Sequence, residues 1–295
     1  EYQDAVLTTL GREMGAYAEA LSRDRWRLYK AEERLRVVNL GGTAIGTGLA
    51  APRAFIFRVV DVLRELTGIG FARAEDLVEA TQNADVFAEV SGLLKAHAVT
   101  LLKLCGDLRL LSSGPAAGLG ELHLPPRQAG SSLMPGKVNP VIPEAVSQAA
   151  MLAIGHDTAL TLACAAGSLE LNPFLPLVAS CLLDSLELLA RANAILATHC
   201  VAGLTADVAR CRQHVAASTA LAPALLPVLG YARVEAAVHT AQTTGRTVRD
   251  VVVAEGLLPA AAVEALLTPE AVCRLGTPAG DFDAAGPAAA ERSAP

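Results

Sequence analysis

Aromatic residues make up only 4% of the 295-residue chain, too few for the stacked platforms that read unpaired bases. Positive charge is thin as well: 24 Lys and Arg stand against 30 Asp and Glu, and no basic run occurs. Together these absences exclude nucleic acid as a partner. With a formal charge of −6, an anionic ligand has to be drawn by a local cation rather than by the field of the whole protein. Cysteine pairs at CxxC or zinc-ligand spacing are also missing. The six cysteines are scattered through apolar, helix-like sequence, so we expect free, mostly buried thiols and a reducing compartment, the cytoplasm. No stretch of any length alternates with strand period, which removes a β-sheet core.

What is present points to helices. Hydrophobic residues reach 52% and charged residues 18%, enough for a large core, and much of the apolar content is Ala, the strongest helix former. Residues 7–38 repeat Leu7, Met14, Leu21, Leu28 and Leu35 at heptad spacing. Leu10, Tyr17, Ala31 and Val38 fill a second seam that only Asp24 interrupts, the pattern of a bundle helix. Helices are further expected over 54–67, over 74–110 with a kink at Ser91-Gly92, over 143–166, and over 175–198. Within the second of these, Asn83 and Asp85 are expected as a buried hydrogen-bonded pair. Beyond residue 200 the helices become short and are punctuated by Pro and Gly.

The window 215–232 carries no charge and reaches the minimum length of a membrane span, about 18 residues. Its Pro223, Pro227 and Gly230 instead predict two short buried helices broken at the prolines, so no membrane partner is expected. The predicted class is all-α: a long-helix bundle over 1–200, a small helical domain over 201–281, and a loose tail over 282–295.

A glycine-rich run, NLGGTAIGTG at 39–48, follows a helix rather than a strand and lacks both GxGxxG and GK[ST] spacing. It is therefore not a nucleotide loop. Close helix-to-helix backbone approach accounts for much of it, and a site lined by Thr43 and Thr47 hydroxyls is the functional alternative.

The stretch with chemistry in it is GSSLMPGKVNP at 130–140. Pro135 and Pro140 forbid regular helix, and Gly130 and Gly136 open dihedrals that other residues resist. The loop offers hydroxyls, one cation and freed backbone N–H groups. No His or GxSxG elbow accompanies it. A serine acting as a base here needs its alkoxide held by backbone donors and a nearby cation. Lys137 and Asn139 are equally suited to hold a substrate carboxylate.

This stretch resembles the GSSxMPxKxNP signature of the aspartase/fumarase superfamily at every fixed position. The likeness extends over most of the chain, through Gln3-Asp4-Ala5-Val6, residues 39–48, residues 107–115 and Leu171-Asn172 in the family's order. Leu108-Arg109-Leu110-Leu111-Ser112-Ser113, Gln128-Ala129 and Pro140-Val141-Ile142-Pro143-Glu144 look more like the aspartate ammonia-lyase branch than the fumarase branch. The resemblance implies reversible anti-elimination of ammonia from L-aspartate to give fumarate. Ser131 would be the general base, and Lys137, Asn139, Ser132 and Met134 would lie at the substrate. It implies no metal or organic cofactor, a small dicarboxylate or amino-acid substrate, and a homotetramer whose active sites draw on several subunits.

Two departures accompany the likeness. The family's N-terminal domain is not represented, so the expectation is of a piece that, taken alone, has no lyase activity. Glu1 stands where much of the superfamily has His and aspartase-like members have Gln, and the family pairs that position with Glu144; two carboxylates are expected to face each other here, or Glu1 to meet the substrate ammonium. Two alternatives stay open: a fumarate hydratase, or a catalytically silent assembly module. Among the histidines, His156 is singled out for its place in the helix after the loop.

Overall fold

The computed structural model describes residues 2–277. The chain is all-α, with long helices first and short ones after. It divides into two compact units, one from Ala18 to Thr205 and one joining the chain up to Tyr17 with the chain from Ala206 onward. Glu1 and the tail at 282–295 lie outside the described residues.

The larger unit contains most of α1 (Leu10–Arg34), then α2 (Arg53–Thr67), α3 (Leu77–Gln82), α4 (Asp85–Leu111), α5 (Val141–Ala165) and α6 (Leu175–His199). Helix α5 packs along both α4 and α6. The reason is visible in the buried positions. On α4 they run Val90, Leu94, His97, Leu101, Leu104, Leu108; on α5 Val146, Ala150, Ala153, Asp157, Leu160; on α6 Val178, Leu182, Ser185, Leu189, Ala192, Leu196. Steps of three and four keep one face of each helix turned inward over its whole length.

Several expected boundaries move. Helix α1 ends four residues before Val38, because Val37–Val38 (β1) pairs in parallel with Ala72–Arg73 (β2). The helix expected over 74–110 breaks at Asn83-Ala84, not at Ser91-Gly92. Asp76 caps α3 by accepting from the Val78 and Glu79 N–H groups, while Gly92 lies inside an unbroken α4. Asn83 and Asp85 are exposed rather than a buried pair, and the Asn83 amide bonds Glu79. Asn83 also donates to the Glu79 carbonyl at 3.4 Å, so it is satisfied locally without burial. Asp24, the interruption of the α1 seam, is 1% exposed and hydrogen-bonded.

The glycine run is a tight turn. Gly46 takes φ +88°, and a Cβ there would stand 2.4 Å from the Leu77 carbonyl oxygen. Only glycine fits against that backbone. Thr43 donates to the Leu49 carbonyl at 3.2 Å within the same turn.

The smaller unit holds α7 (Val208–Ala217), α8 (Ala222–Leu229), α9 (Tyr231–Thr244), α10 (Val248–Ala254), α11 (Ala260–Leu266) and α12 (Pro269–Cys273). Its core is Leu221, Leu225, Leu229, Val234, Ala237, Val251, Val252 and Val263, with Leu7 packed against it. In the charge-free window the break falls at Ser218, which caps the next turn by accepting from the Ala220 N–H; Pro223 lies in the first turn of α8 and Pro227 inside it. The first turn tolerates proline because its N–H has no helical acceptor there. Among the described residues no helix is long and apolar enough to cross a membrane.

Candidate functional site

Loop 130–140 joins the cleft region after α4 to the start of α5. Its neck is closed by the Gly130 N–H donating to the Lys137 carbonyl at 2.9 Å and by Asn139 Nδ2 donating to the Gly130 carbonyl at 3.3 Å. A Cβ on Gly130 would come within 2.6 Å of that Lys137 oxygen, so the neck needs glycine. The Lys137 N–H bonds the Met134 carbonyl at 3.2 Å, and Gly136 takes φ +80° at the turn. Three hydrogen bonds and two glycines thus bend the loop back on itself without regular structure.

At the tip, Ser131 Oγ accepts from the Leu133 N–H at 3.1 Å. That amide points at the oxygen that would carry negative charge if the hydroxyl lost its proton, and it leaves the hydroxyl hydrogen free to be given elsewhere. Ser131 is half-buried; Ser132, Met134 and Lys137 are exposed, and Leu133 is 87% exposed. The loop therefore presents its chemistry outward.

Behind the loop lies a cleft of about 790 Å³. Lys137, Asn139 and Glu144 line it, as do Arg109 from the last turn of α4 and His123. The structure brings these together, while Ser131, Ser132 and Met134 sit on the loop outside that lining. Glu144 is in the first turn of α5, where a carboxylate complements the helix dipole. Its expected partner, Glu1, lies outside the described residues. Arg127 borders the region and donates from Nε to the His199 carbonyl at 2.7 Å, tying the segment before the loop to the end of α6.

Arg109 and His123 were missed as site residues. The available signal was position: Arg109 lies in the last turn of α4, just before Ser112-Ser113, and His123 precedes the loop by few residues. His156 does not line the cleft; its Nδ1 lies 3.1 Å from Ser185 Oγ, a bond between α5 and α6. The six cysteines are free, as expected. Burial pushes the Cys105 thiol up to about 12, with Cys200 nearby adding to the effect. No group of acidic, His or Cys side chains among the described residues is arranged to hold a metal ion.

The family model described as Lyase matches residues 1–155, and one described as Fumarase C C-terminus matches residues 221–274. The chain belongs to this family, the aspartase/fumarase superfamily. It is 49% identical over 271 residues to an aspartate ammonia-lyase of Pseudomonas canavaninivorans, covering 92% of this chain and 57% of that one. The same shares and identity hold for an aspartate ammonia-lyase of Pseudomonas aeruginosa. The crystal structure of a fumarate lyase:delta crystallin from Brucella melitensis bound to cobalt superposes with a TM-score of 0.87 at 46% identity, covering 91% of this chain and 58% of that one. The chain thus spans little more than half the length of the relatives it matches.

Proposed function

We propose that this chain carries the base-bearing loop of an ammonia-lyase that converts L-aspartate reversibly to fumarate and ammonia. Ser131, as its alkoxide, takes a proton from the substrate carbon that lies between the amine-bearing carbon and the second carboxylate. The electron pair moves into that carboxylate as an aci-carboxylate dianion, and ammonia then leaves from the adjacent carbon. The observation that carries this reading is the Leu133 N–H held 3.1 Å from Ser131 Oγ, a fixed donor on the oxygen that must bear charge. Lys137 and Asn139, together at the cleft, supply the cation and the directional donor for the dianion. Stabilising it more than the ground-state carboxylate is what lowers the barrier.

The acting unit in this proposal is a homotetramer of a cytoplasmic enzyme, needing no metal or organic cofactor. Its support is the apolar surface left on the bundle: Met151 and Leu162 on α5 and Leu183 and Leu186 on α6 are all exposed in the single chain. Patches of this kind mark contact surfaces. We extend the proposal to the 295-residue chain alone, which gives no turnover because its loop lies open to water and a dianion there is screened. Residues 201–281 serve as a small separate domain.

The deciding measurement is ultraviolet absorbance of fumarate formed from aspartate by the full-length gene product. Ser131→Ala should lower kcat by about 10²–10⁴-fold, the usual contribution of a positioned base; an unchanged rate would remove Ser131 from the mechanism. Fumarate formation by the 295-residue chain alone would overturn only the extension. A fumarate hydratase is the competing reading, and addition of water rather than ammonia to fumarate would establish it.

A further inference from the structure

Three side chains that the loop chemistry does not use meet inside the bundle. His97 on α4 stands between Asp24 on α1 and Asn193 on α6. Its Nδ1 lies 3.2 Å from Asp24 Oδ2, and its Nε2 lies 2.8 Å from Asn193 Nδ2. Asp24 is 1% exposed and His97 6%. The partners are 73 and 96 residues from His97 in sequence, so helix packing alone unites them.

Counting donors decides which form of the imidazole this arrangement takes. Asn193 Nδ2 also donates to the Leu189 carbonyl at 2.8 Å. Turning the amide over would set its oxygen against that carbonyl oxygen, so the nitrogen faces both partners. An amide nitrogen only donates. His97 Nε2 therefore accepts, and the ring proton sits on Nδ1, donated to Asp24. A neutral ring in that one tautomer satisfies both neighbours.

We propose that Asp24, His97 and Asn193 form an acid-sensitive latch tying α1 and α6 to α4, closed while His97 is neutral and opened when Nε2 takes a proton. Protonation would press an N–H against the Asn193 N–H and leave a buried donor without an acceptor, which is costly. Asp24 pulls the other way, since a carboxylate attracts an imidazolium. Its Oδ1, however, already accepts from Arg27 Nη1 at 3.2 Å, so part of its charge is met before the ring approaches. The titratable groups that α5 brings to the bundle are engaged elsewhere: His156 with Ser185, and Asp157 with Ser91 and Lys95. On α6 the nearest charged side chains, Glu187 and Arg191, pair with each other.

The latch bears on the cleft through the helices it joins. Helix α4 ends there with Arg109, and the last carbonyl of α6, His199, holds Arg127. Loosening α4 from α6 loosens both anchors. The inference stands whether or not the proposed reaction is correct.

The test uses the 295-residue chain labelled with ¹⁵N at histidine, with His97 assigned through its own backbone amide. At neutral pH its Nδ1 should show the protonated and its Nε2 the unprotonated ring-nitrogen shift. An imidazolium, or the Nε2–H tautomer, would overturn the proposal. A second measurement compares urea midpoints from about pH 8 down to about pH 5, the interval over which histidines change charge. The wild type should lose more of its midpoint on acidification than His97→Gln, whose side-chain oxygen can still accept from Asn193 but cannot titrate. Equal losses would sink the latch. If His97→Gln does not fold, Asn193→Asp gives the same decision: its carboxylate accepts from a protonated ring, so the acid-dependent loss should shrink or reverse.

Discussion

The smaller unit closes its own core with short helices. Leu225, Ala237, Val251, Val252 and Val263 are fully buried there, on helices none longer than 14 residues. The bundle of 25- and 27-residue helices buries one face of each and leaves Leu162 and Leu183 67% and 63% exposed. It also takes polar groups inside: Asp24, Ser91, His97, Asp157 and Ser185 are all buried. One region is finished as a single chain and apolar within; the other sets buried polar groups among its apolar core and leaves apolar side chains on its outer face. A bundle built that way is shaped for packing against more helices, in line with the proposed tetramer.

Substitutions can break or sharpen this contrast. The largest effect is expected from Leu225→Ala, which opens a cavity in the closed core and should cost about 2–5 kcal/mol of unfolding free energy in urea. Lys95→Met in the bundle comes next. Asp157 would keep Ser91 at 2.8 Å but lose the Lys95 ammonium at 2.6 Å, leaving a buried carboxylate half-satisfied at a cost of about 1–3 kcal/mol. If it were neutral, the buried polar contacts of the bundle would be incidental to stability. Leu183→Ser on the outer face should change single-chain stability by no more than about 0.5 kcal/mol, yet lower the assembled mass in sedimentation; unchanged assembly would remove that face from the interface.

The last effect is absent at neutral pH and belongs to Cys105. Burial raises its thiol to about 12, so above the ordinary thiol range near 8.5 the unfolded chain ionises there while the folded chain stays neutral. The stability it contributes is complete below that range and is lost as pH rises towards 12. Cys105→Ala should flatten the alkaline fall of the urea midpoint, and the wild-type thiol should resist alkylation until the chain unfolds.

Much of the fold was legible because helix period and helix-stop residues are local. The helix spans 54–67, 143–166 and 175–198, each within a residue or two of the observed helix, and the turn character of 39–48 could all be read directly. The kink at Ser91-Gly92 was misplaced because a single glycine is tolerated inside a helix whose neighbouring residues are packed, whereas the break comes where Asn83 turns to extended backbone, φ −101° and ψ 137°, and ends a short separate helix. Of the candidate site, the loop was legible from its signature. Arg109 and His123 were not, since they enter the cleft only through the way α4 and the segment after it turn.

Sequence by itself determined that long helices come first and short ones after, that loop 130–140 cannot be regular, and which side chains on it carry charge and hydroxyls. These follow from backbone dihedral limits and from residues a few positions apart. Tertiary structure alone decided that Asp24 meets His97, that Asp157 meets Ser91 and Lys95, and that Lys137, Asn139 and Glu144 share a cleft with Arg109. Such meetings depend on how helices rotate and align against one another, which the spacing within any one helix does not specify.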